Sequence, residues 1–153
     1  MRGDFAVVRT PGPIGAIIRI VTRSDFNHAY TDMGDGTIIE ARARGAVRTQ
    51  DTYPARWRMV SHMPLTDDQR NRICDNAIAV LGTPYGFLDL LSLGLLQYGI
   101  RWKWIRDRVA RQDRLVCSQL EDLIYERAGI HLYNDGRPSM DVTPGDLADL
   151  IHP

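Results

Sequence analysis

Two β-prone runs, Asn27 to Thr31 and Thr37 to Ala41, flank the pentapeptide Asp32-Met33-Gly34-Asp35-Gly36, and this pattern restricts the fold more than any other stretch. Glycines beside aspartates supply the turn geometry that a chain reversal needs. The segment therefore reads as a β-hairpin, and a hairpin makes an antiparallel sheet. Phe5 to Val8 is a further strand, halted by Thr10-Pro11-Gly12-Pro13. Gly45 to Thr49 and Arg56 to His62 read as two more, both carrying arginines and so wet on one face.

Helical signals alternate with these strands. Pro13 fits a first helical position, and Ile14, Ile17, Ile18 and Val21 recur on one face. Thr66 with Gln69 forms a capping box ahead of the stripe Ile73, Ala77, Val80 and Leu81, in a helix running to Gly82. From Val116, residues Cys117, Leu120, Ile124 and Ala128 share a face, and Gly129 closes the helix. Thr143-Pro144 caps and begins a short final helix, and Phe87 to Tyr98 reads as helical after the turn Thr83-Pro84-Tyr85-Gly86. The expectation is an α+β fold, an antiparallel sheet packed against helices, in a single domain spanning residues 1–153. The 153 residues, 44% of them apolar, suffice for one core.

Composition excludes several classes. Nineteen basic residues balance nineteen acidic ones, so no global field draws the chain to nucleic acid, and specific nucleic-acid binding is not expected. Eighteen of the basic residues are Arg and one is Lys, a skew expected of a GC-rich genome. The longest apolar stretch, Phe87 to Ile100, contains Asp89 and falls short of the ~20 residues of a membrane span. No transmembrane segment is expected. The opening residues lack a signal-peptide run, so the expected location is cytoplasmic. Two cysteines make no disulfide framework. No Cys-x-x-Cys or His-x-x-x-His occurs, so neither a metal nor any other cofactor is expected.

Chemistry concentrates at few positions. Cys117 opens a helix, where the positive end of the backbone dipole favours thiolate, although a free cysteine on a buried stripe equally suits a core hydrophobe. Cys74, inside the preceding helix, reads as packing. A thiolate needs an imidazole partner, and the four histidines are His28, His62, His131 and His152. His28 heads the first hairpin strand, with Tyr30 on the same face. Glu40, one of only three glutamates, lies on the returning strand, where cross-strand pairing sets a carboxylate beside the imidazole; the competing reading is a solvated strand end. Tyr30 and Tyr85 are candidates to line a substrate pocket, as is Ser118 beside Cys117. Ser118 is the weaker nucleophile because the glycines of an elbow motif are missing.

At these residues the sequence resembles the circularly permuted papain-like hydrolases, which include YiiX-like bacterial proteins and lecithin retinol acyltransferase and are related to the NlpC-type peptidases. The matching pieces are Gly3-Asp4, the Ile-rich helix, Asn27-His28-Ala29-Tyr30, Gly36-Thr37-Ile38-Ile39-Glu40-Ala41, Thr83-Pro84-Tyr85-Gly86-Phe87 and Val116-Cys117-Ser118-Gln119-Leu120. Their order, histidine before cysteine, is that of the permuted group. The resemblance implies Cys117 as nucleophile, His28 as base and Glu40 as the polar third member, and it implies a bacterial or phage origin. Asn27 stands where the family has a hydroxyl residue. Glu40 in place of a second histidine points to the hydrolase branch.

The expected activity is hydrolysis of an amide or ester through an acyl-enzyme, with a peptide (peptidoglycan included) or a lipid-derived acyl group as substrate. One rival is an inert structural or binding protein that keeps the fold, such as a phage assembly component; a lipid acyl hydrolase or acyltransferase is another. The segment Arg101 to Arg114, with six basic residues against two acidic and Trp102 and Trp104 interleaved, could contact an anionic surface or present a solvated helix face.

Overall fold

The computed structural model describes residues 1–42, 45–83, 117–136 and 142–151. Tyr85, the expected helix at 87–98 and the Arg101 to Arg114 segment lie outside the described residues. In chain order come β1 (Phe5–Val8), α1 (Pro13–Thr22), β2 (His28–Asp32), β3 (Thr37–Arg42), β4 (Gly45–Gln50), a 3₁₀ turn (Ala55–Trp57), β5 (Arg58–Val60), α2 (Asp67–Ala79), α3 (Cys117–Arg127) and α4 (Pro144–Ile151). The strands form one antiparallel sheet in the order β4-β3-β2-β1-β5, so the fold is α+β. Among the described residues no helix is long and apolar enough to cross a membrane.

The hairpin turns where Gly34 and Gly36 supply φ of 80° and 82°. A Cβ on Gly34 would also meet the Arg2 side chain at 2.6 Å, so this glycine permits both the turn and a close approach. Alternation along the strands then sorts residues to two faces. Phe5, Val7, Ala29, Ile39 and Ala41 meet Ile73, Ala77, Leu120, Ile124, Tyr125 and Leu147 of the helices in the main core. Ala6, Val8, Tyr30 and Ile38 form a smaller cluster with Tyr53 and Val60 on the other face.

Two local expectations are corrected. The run from Arg56 to His62 forms a strand only over Arg58–Val60, because Pro54 leads into a 3₁₀ turn that takes up Ala55–Trp57. Leu81, expected on the apolar stripe of α2, is 40% exposed. The helix ends at Ala79 with Val80 as its cap, so Leu81 no longer follows the helical step that keeps Ile73 and Ala77 buried. At the start of α2 the capping box between Thr66 and Gln69 is formed.

A buried ion pair ties the sheet to α2. Arg70 Nη1 donates to Asp4 Oδ1 at 2.9 Å and to the Arg2 carbonyl at 2.6 Å, and Nη2 donates to the Met63 carbonyl at 2.8 Å. Three acceptors satisfy the Arg70 guanidinium, whose charge offsets part of the desolvation of an Asp4 carboxylate that has no solvent exposure.

Candidate active site

His28 and Glu40 come together through strand register. Tyr30 pairs with Glu40 across β2 and β3, so His28, two residues before Tyr30, lies diagonally beside Glu40 on the same face. The imidazole Nε2 donates to Glu40 Oε2 at 2.7 Å. Glu40 is almost fully buried and accepts two more hydrogen bonds. The Tyr53 hydroxyl donates to Oε2 at 2.7 Å and Arg42 Nε donates to Oε1 at 2.8 Å, with Arg42 Nη2 ion-paired to Oε1 at 2.7 Å.

Charge follows geometry. Burial opposes ionisation of Glu40, but the His28, Tyr53 and Arg42 hydrogen bonds outweigh it and lower the carboxyl to about 2. Burial likewise opposes the imidazolium. Cys117, as a side-chain hydrogen-bond partner, and Glu40 together outweigh that penalty and raise His28 to about 10. At neutral pH the pair is an imidazolium against a carboxylate. With Nε2 committed to Glu40, Nδ1 is the ring nitrogen left for the sulfur.

Cys117 is the first residue of α3, and the first turn of a helix leaves its backbone N–H groups without intrahelical acceptors. Helix α3 runs along β2: Cys117 lies by His28 at the start of the strand, and Glu121, one turn on, accepts from the Thr31 hydroxyl. The sulfur-bearing residue is only 1% exposed and sits in the main core, whereas the His28 side chain retains 12% of its surface.

The other expected site residues have different surroundings. Tyr30 is buried, stacked on Tyr53 with ring centroids 5.5 Å apart, and its hydroxyl accepts from Arg58 at 3.3 Å. It faces the smaller cluster and packs against the sheet there. Ser118 is also fully buried, and its hydroxyl donates to the Val142 carbonyl at 2.6 Å, tying α3 to the segment before α4. That bond commits its oxygen away from an incoming molecule. Cys74 is buried as expected, and Arg2 Nε lies 3.4 Å from its sulfur as a donor.

Glu121 escaped the sequence reading. Its Oε1 is buried without a hydrogen-bond partner among the described residues, and burial raises the carboxyl to about 8 against the Thr31 hydrogen bond and the His28 charge, which lower it. The available signal was its spacing, four residues after Cys117 and one after Leu120, which puts it on the buried side of α3. Because its folded value lies above the ordinary 4.5, folding takes up a proton between about pH 4.5 and 8, and stability falls as pH rises through that window. Glu121→Gln removes this slope. Its stability relative to the parent is expected to rise by on the order of 3 kcal/mol between pH 5 and pH 8 in urea titrations, and a pH-independent difference would refute the assignment.

No family model matches the chain, and neither does any curated protein. Among solved structures, the metalloprotein YiiX from Escherichia coli O157:H7 matches with a TM-score of 0.59 and 20% identity, over 86% of this chain and 68% of that one. The likeness is one of fold. Among the described residues no three His, Cys, Asp or Glu side chains are grouped to hold a metal ion.

Proposed function

We propose that the protein is a cysteine hydrolase of the permuted papain-like kind, acting on amide or ester bonds. The observation that carries this reading is the His28 imidazole set between the Glu40 carboxylate and the Cys117 thiol, three residues far apart in the chain. The fold shared with YiiX supports it.

In this mechanism the Cys117 thiolate attacks the acyl carbon and the His28 imidazolium gives its proton to the leaving nitrogen or oxygen as that bond breaks. Water then attacks the thioester, His28 accepts a proton from it, and the acid product departs with the thiol restored. Glu40 holds the ring through Nε2 and stabilises the imidazolium. The Cys117 backbone N–H is the first donor for the oxyanion, since a helix start leaves it unpaired within the helix. The substrate classes are peptides, cell-wall peptides included, and lipid-derived acyl esters, with the cytoplasm as the proposed location.

The burial of Cys117 favours a second reading, in which the fold is kept by a structural or binding protein without turnover. Iodoacetamide at neutral pH separates the two. The hydrolase reading expects Cys117 to be alkylated at least about tenfold faster than Cys74, because thiolate is the reacting form. Equal, slow labelling of both would favour the inert reading.

A further inference from the structure

On the strand end next to His28, the segment Arg9 to Pro11 and the side chains of Arg19 and Trp57 line a cavity of about 330 Å³. This is the volume of a small-ligand site. Arg9 follows Val8, which pairs with His28, and its backbone N–H donates to the Trp57 carbonyl at 2.8 Å. The cavity therefore opens at the end of the sheet where β2 begins.

Arg19, in the last turn of α1, is held in a fixed pose. Its Nη1 donates to the Thr10 carbonyl at 2.9 Å and to Asn27 Oδ1 at 3.1 Å. Asn27 is itself clamped: Oδ1 also accepts from the Thr10 backbone at 2.9 Å, and Nδ2 donates to the Thr10 hydroxyl. Gly15 lets α1 come this close, since a Cβ there would stand 2.8 Å from both Asn27 Nδ2 and the Thr10 carbonyl.

Both partners of Nη1 are neutral, and among the described residues Arg19 has no carboxylate within 4.0 Å. The Nε and Nη2 edge of the guanidinium has no acceptor among them either. That edge is a planar pair of donors matching two oxygens of one anion. Arg9 adds a second cation, whose approach to the 88%-exposed Asp25 is 3.9 Å, at the limit of an ion pair. Trp57, 37% exposed with Arg56 4.9 Å over its ring, supplies an apolar wall.

We infer that this cavity is a subsite for a delocalised oxyanion, a carboxylate or phosphate group, with Arg19 as its bidentate receptor and Arg9 as its second charge. Its connection to turnover rests on the hydrolase reading, where it selects acyl substrates carrying such a group; the binding itself does not require that reading.

Calorimetric titration of the full chain carrying Cys117→Ala, in which no thiol reacts, tests it with three probes: inorganic phosphate, sn-glycerol 3-phosphate and N-acetylglutamate. At least one is expected to bind, and more weakly as salt rises. Phosphate-only, glycerophosphate-preferring and carboxylate-only binding identify the source as a free phosphate, a lipid headgroup or an acidic peptide. Arg19→Gln is expected to weaken binding at least tenfold, and Arg19→Lys severalfold because the charge stays while the fork is lost. Arg9→Gln leaves the Asn27 clamp intact, so a severalfold loss there keeps the test independent of any folding defect at Arg19. Arg72→Gln, a surface guanidinium paired with Asp68, is the control and is expected to change nothing. Binding by none of the probes overturns the inference, as does equal affinity in Arg19→Gln or an equal loss in Arg72→Gln. Anion binding without thiol reactivity would leave the subsite standing and remove the hydrolase reading, and the reverse result would do the opposite.

Discussion

On the hydrolase reading, Cys117→Ala is expected to lower turnover of a hydrolysable amide or ester by on the order of 10⁴-fold or more, because in that mechanism the Cys117 sulfur forms the acyl intermediate. The chain itself should remain folded. The change removes one sulfur from the core, at a cost of about 1 kcal/mol, small against the several kcal/mol of a domain. Cys74→Ala, which also removes a buried sulfur, should leave turnover near the parental level and serves as the matched control. His28→Ala should fall almost as far as Cys117→Ala, since thiolate and proton donor act as one unit. The rate should decline as pH rises through about 10, where the imidazolium loses its proton. Unchanged turnover in Cys117→Ala would refute the thiol mechanism, whatever the fold.

Glu40→Ala is expected to cost about 3 to 5 kcal/mol in urea denaturation at pH 7, the largest stability effect anticipated for any single side chain at the site. The carboxylate joins three partners, and its loss leaves the His28 imidazolium and the Tyr53 hydroxyl in a partly buried place without their acceptor. Glu40→Gln should cost less, keeping an oxygen but losing the charge, and His28 should return toward its ordinary value. The acid limb gives a second reading. The folded carboxyl lies below its ordinary 4.5, so its contribution is fully present above about pH 4.5 and is lost as pH falls toward 2. The parent should therefore lose stability across that window faster than Glu40→Gln does. Parallel acid limbs would mean that the carboxylate is not the stabilising ion the geometry describes.

Much of the local architecture was legible beforehand. The turn between β2 and β3, Pro13 at the first position of α1, the capping box at Thr66 and the φ of 78° at Gly129 all follow from interactions within a few residues. The diagonal placement of His28 and Glu40 was also within reach, because a hairpin converts a spacing of 12 into a cross-strand contact. The surroundings of Tyr30 and Ser118 were not readable in this way. An aromatic on a strand and a hydroxyl at a helix start look alike whether they face solvent or core, and here Tyr53 and the Val142 carbonyl claim them.

Short-range physics, then, was readable directly: strand alternation, helix caps and turn glycines depend on neighbours in the chain and gave an α+β protein with an antiparallel sheet. Which polar groups are enclosed together depended on the packing of α1, α2 and α3 against that sheet. Only this packing strips water from Glu121, leaves one edge of Arg19 without an acceptor among the described residues, and brings His28 beside Cys117. The energies of such groups are set by what surrounds them in space, and distant segments of chain supply those surroundings.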